Sequence, residues 1–137
     1  MKLKLLLFLF SFGISTSVSA EIVLYCISEL ATGISKENGI YRTADFELKR
    51  YTVKFSDDYS EVKGLDIHRI WECKNPFNDK NSNTVVCMSE YNVGESFIYN
   101  KKTKRFLHFR GGVFGFIQGN NVGNDTSTMT AGTCEKF

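Results

Sequence analysis

Four cysteines, Cys26, Cys73, Cys87 and Cys134, constrain the fold more than any other feature of this 137-residue chain. An even number of thiols in a short exported protein reads as a disulfide framework, here two bridges with three conceivable connectivities. Cys73 and Cys87 flank the polar segment 75–83, which holds the chain's only proline, Pro76. If 66–74 and 84–91 are the arms of one hairpin, the two cysteines sit nearly opposite. Antiparallel Cα atoms there lie about 4.5 Å apart, within bridging range. Cys26 then pairs with Cys134 by elimination and ties the first segment to the last. This nested pattern is favoured over the other two. A zinc site is disfavoured because no C-x-x-C or H-x-x-x-H spacing occurs.

The framework presupposes export, and residues 1–20 read as a secretory signal peptide. Lys2 and Lys4 make a positive start, 5–14 an apolar core, and Val18 and Ala20 a small-residue cleavage site. That core is too short to cross a bilayer, which takes roughly 20 residues. Residues 21–137 then form a single domain in a periplasmic or secreted setting. Lys2 and Lys4 leave with the leader, so the 17 Lys plus Arg fall to 15, against 15 Asp plus Glu. A neutral product gives no global electrostatic reason to bind nucleic acid. Tyr25 before Cys26 does not suit a lipid-anchored N-terminal cysteine. No later segment is long and apolar enough for a spanning helix.

The pattern of the domain is β throughout. Tyr51, Val53 and Phe55 alternate with polar residues, the period of a half-buried strand. Ile67, Arg69, Trp71 and Cys73 share one face of the next strand, and His68, Ile70 and Glu72 the other. Segment 84–91 is rich in β-formers. The clearest hairpin joins Phe97 and Tyr99 to Phe106, His108 and Arg110 through a tip carrying Lys101, Lys102, Lys104 and Arg105. Segment 113–117 resumes as a strand in which Gly115 suggests a bulge, 119–127 is a turn-rich loop, and the last ten residues can close an edge. Residues 27–37 are the best candidate for a short helical turn. The expected fold is all-β: a small antiparallel meander, barrel or near-closed sheet of seven to eight strands. The barrel is preferred, because a bond between the first and last strands suits closure.

Candidate chemistry is sparse. The basic tip, Lys101, Lys102, Lys104 and Arg105, is a candidate contact for an anionic surface ligand or an envelope protein, although such charges also serve to solvate a hairpin. The nine Phe, six Tyr and Trp71 of 21–137 pack a core or line an apolar pocket. His68 and His108 sit in no catalytic spacing, Asp57, Asp58 and Glu61 form a small acidic turn, and paired cysteines offer no nucleophile. No catalytic residue, metal site or cofactor is assigned. Asn124-Asp125-Thr126 is a glycosylation sequon in sources that modify it.

Tyr25-Cys26, Ala31-Thr32-Gly33-Ile34, the run from Phe97 to Phe106 and Gly132-Thr133-Cys134 together resemble a loose group of small exported bacterial proteins without an established activity. The resemblance implies an envelope or secreted setting and carries over no functional residue. The small β-barrel lysozyme inhibitors of bacterial periplasms are similar in size, leader and disulfide use, an analogy of fold without shared motifs. The expected role is a binding or inhibitor module. The alternatives are a carrier of a small apolar ligand in a barrel cavity and a hydrolase whose site lacks a familiar motif.

Overall fold

The computed structural model describes residues 20–66, 69–79, 81–89, 94–111 and 126–136. Among them nine strands form one antiparallel sheet: β1 (Ile22–Glu37), β2 (Ile40–Asp45), β3 (Arg50–Phe55), β4 (Glu61–Lys63), β5 (Trp71–Lys74), β6 (Thr84–Ser89), β7 (Ser96–Asn100), β8 (Arg105–Arg110) and β9 (Ser127–Lys136). Strands β3 to β9 meander in sequence order, and β9 returns to pair with β1. Eight strands thus close a barrel, with β2 added beside the far half of β1.

β1 is long enough to hold two partners on one edge. Ile22–Ile27 pair with β3, and Thr32–Glu37 pair with β2. The hairpin between β1 and β2 turns on Asn38-Gly39, with φ of +50° and +81°. A two-residue turn with both central φ positive matches the twist of its strands, and Asn-Gly is the pair that tolerates it. Between β2 and β3 the chain stays tied to β1: Phe46 N–H donates to Ala31 O and Ser28 N–H to Lys49 O, both at 2.9 Å.

Residues 27–37 are therefore strand, not a helical turn. The register of β1 against β9 shifts between Ser28 and Leu30. One extra residue in a strand disrupts the alternation of faces, so the period of 2 fails locally in the sequence. The first predicted hairpin arm is shorter than expected, with β5 beginning at Trp71, while β6 runs Thr84–Ser89 and residues 90 and 91 lie outside the described residues. The expected strand at 113–117, Gly115, His68 and the sequon's Asn124 lie outside the described residues.

Both disulfides form as the nested pattern requires. Cys73 lies directly opposite Cys87 across β5 and β6, and Cys26 opposite Cys134 across β1 and β9. The β1–β9 seam that Cys26–Cys134 closes is narrow. A Cβ on Gly132 would stand 2.0 Å from the Ile27 carbonyl oxygen. Gly132→Ala should therefore destabilise by about 1–3 kcal/mol through overpacking. Thermal unfolding of the oxidised variant measures this, and an unchanged midpoint would contradict the close approach.

Aromatic rings fill the interior. Phe55 stacks on Tyr99 at 5.5 Å between centroids and Phe97 on Phe106 at 5.4 Å, with Phe55 also 6.4 Å from Phe97. Leu24, Val53, Val62, Trp71 and Val85 complete the core, each at most 1% exposed. Interdigitated rings at these spacings are the packing of a solid core.

Candidate functional site

The predicted basic tip is the turn between β7 and β8, and it is firmly built. The Asn100 side-chain oxygen accepts from the N–H groups of Lys102 (3.0 Å) and Thr103 (2.9 Å). Lys104 N–H donates to Asn100 O at 2.9 Å with Lys104 at φ +61°. Lys101 N–H reaches Asn83 O, and Lys104 O receives Cys134 N–H, both at 2.7 Å. The turn is thereby fastened to the β5–β6 loop and to β9. Its four charges are not equivalent. Lys101 is half-buried with its ammonium 5.1 Å from the Tyr59 ring centroid, whereas Lys102, Lys104 and Arg105 are exposed. The structure thus separates one packing lysine from three cations free to meet an anion.

The acidic turn beside it serves local structure. Asp58 accepts hydrogen bonds from the Ser56 hydroxyl (2.7 Å) and Ser60 N–H (2.9 Å), and these bonds lower its carboxyl to about 2. Tyr59, at φ +59°, packs its ring 5.1 Å from Phe55. Burial pushes the neighbouring Tyr99 phenol up to about 12, with Tyr59 adding to the shift.

The other end of the barrel is polar inside. His108 points inward from β8, 2% exposed, with its ring edge-on to Tyr51 (5.6 Å), Trp71 (5.7 Å) and Phe97 (5.9 Å). Among the described residues neither ring nitrogen has a hydrogen-bond partner, nor do Trp71 Nε1 and Ser89 Oγ. Glu95, also buried, accepts from Arg110 Nε at 3.4 Å. Burial first, then Arg110 and Lys49, lower the His108 imidazole to about 4 against the opposing pull of Glu95. His108 is thus a neutral ring in an aromatic setting, and no carboxylate among the described residues is bonded to it as one is to an oriented catalytic base. Cys26, Cys73, Cys87 and Cys134 are all bonded, leaving no free thiol among the described residues. No three His, Cys, Asp or Glu side chains group for a metal among them.

This histidine makes stability depend on pH in a stated direction. Its folded pKa lies below the unfolded value of about 6.5, so the unfolded chain binds the extra proton first. Stability should fall as pH drops from about 6.5 towards 4, by on the order of 3 kcal/mol. His108→Phe should flatten that slope, because the buried imidazole that awaits a proton is gone. Urea unfolding of both proteins between pH 7.5 and 5 reads this out; equal slopes would contradict it.

The barrel exterior, which the sequence reading left aside, is two-sided. The exposed faces of β3, β4 and β5 carry Arg50, Lys54, Glu61, Lys63, Glu72 and Lys74. Across the barrel, the register aligns Val86, Ile98, Leu107, Ala131 and Leu30 in one outward row over β6, β7, β8, β9 and β1. A second row runs Met88, Ser96, Phe109, Met129 and Thr32. Phe77, in the β5–β6 loop at φ +59°, is fully exposed. The signal was present in β8, where Leu107 and Phe109 make both alternating faces apolar.

Among the described residues no helix is long and apolar enough to cross a membrane. Comparison with protein-family models, with curated proteins and with solved structures gives no match.

Proposed function

We propose that this protein is an exported binding module that works from the outside of its barrel, as an envelope inhibitor or partner-binding domain. The observation that carries the reading is the filled interior. With Phe55, Phe97, Tyr99 and Phe106 packed ring against ring and Trp71 against His108, side chains occupy the barrel axis among the described residues. Ligand-carrying barrels enclose roughly 300–1,000 Å³. Recognition then falls to the surface, where the exposed basic side chains Lys102, Lys104 and Arg105 stand on a rigid turn. The leader-like segment 1–20, the two disulfides and the resemblance to small exported bacterial proteins support an envelope or secreted setting.

Affinity capture by the oxidised protein from an envelope fraction tests the reading. Lys102→Glu, Lys104→Glu and Arg105→Glu together should weaken capture at least tenfold, roughly 1.4 kcal/mol or more. Native mass spectrometry of the same preparation provides the opposing outcome. A stoichiometric apolar molecule retained inside the barrel would replace this reading with that of a carrier.

A further inference from the structure

We propose that the outer face of β8, β9 and β1, with the basic turn, docks the protein onto an anionic lipid surface. The proposal rests on the reading of the exterior as the working surface and names the partner. Leu107, Ala131 and Leu30 lie side by side across three strands, with Phe109, Met129 and Thr32 one row further along. Leu30 is 69% exposed, Met129 39% and Leu107 36%. Neither row contains a charged residue, and such a contiguous apolar patch marks an interaction surface.

The charge around the face identifies the partner. The row nearest the turn holds Arg105, Thr133 and Ile27. Lys102 and Lys104 stand just beyond, on the turn that leads into β8. Apolar side chains bordered by cations match an interface of acyl chains under anionic headgroups. Glu29, which accepts the Thr133 hydroxyl at 2.9 Å, and Glu135 are the acidic residues of β1 and β9 near this end. The shape agrees. The face is the convex wall of a barrel, which a deformable lipid surface can meet over its width, while two convex copies touch along a line. The barrel rests on the surface rather than spanning it. β7 and β8 have five and six residues, short of the roughly 9–11 a spanning strand needs.

Co-sedimentation of the oxidised protein with phosphatidylglycerol–phosphatidylcholine vesicles, against pure phosphatidylcholine, tests this. Binding to the mixed vesicles is expected, at least about tenfold weaker on the neutral ones. Lys102→Glu with Lys104→Glu should weaken it by a similar factor. Leu30→Ser and Leu107→Ser should each weaken it several-fold. Leu30 is 69% exposed on the outer face, so its variant leaves the barrel interior intact. Absence of binding, or binding that both apolar variants leave unchanged, would overturn the proposal. Vesicle failure with envelope-protein capture lost in the same variants would assign the face to a protein partner, overturning the lipid surface while sparing the surface-binding reading. A molecule retained inside the barrel would overturn that reading itself.

Discussion

Replacing Cys26 and Cys134 together by alanine is expected to cost about 4–5 kcal/mol, against about 3 kcal/mol for Cys73 with Cys87. The difference comes from the unfolded chain. One bridge spans a sequence separation of 108 and the other 14, and the longer loop restricts the denatured ensemble more. The long bridge also clamps the β1–β9 pairing that turns a meander into a barrel. Domains of this size hold roughly 5–15 kcal/mol in total, so the first variant should be marginal at ambient temperature. Urea unfolding of both double variants reads the comparison. Equal losses would mean that the seam holds without its bridge.

Phe97→Ala is expected to cost about 3–5 kcal/mol, the range for removing a buried ring from a core that cannot collapse around the space. Phe97 is fully buried and meets Phe55, Phe106 and His108, which come from β3 and β8. Neighbours held in hydrogen-bonded strands shift little, so the space should remain as a dry cavity able to take a benzene-sized solute. The test is chemical unfolding with and without benzene, with the solute raising the midpoint of the variant alone. A loss under about 1 kcal/mol would indicate a loose interior.

Much of this fold was legible because its physics is local. Tyr51, Val53 and Phe55, like Phe97 and Tyr99, alternate cleanly, and Cys73 and Cys87 straddle a polar loop. What the sequence hid were features set by pairing. The bulge at Ser28 to Leu30 masked the second half of β1, and β2 has little buried side-chain surface to betray it. Asn38-Gly39 was a readable hairpin signal that went unused. The basic turn was visible as a cluster, but not that Lys101 is spent on Tyr59. The outward apolar rows exist only once strands distant in sequence, β1, β6 and β9, are set in register, so no single window of sequence contains them.

The central claim is that the barrel is closed and filled and meets its partner from outside. Trp71, the chain's single tryptophan, is 1% exposed inside the barrel, so its fluorescence reports on the interior. Titration of the oxidised protein with a long-chain fatty acid should leave that emission unchanged. Saturable quenching at one molecule per barrel would contradict the account.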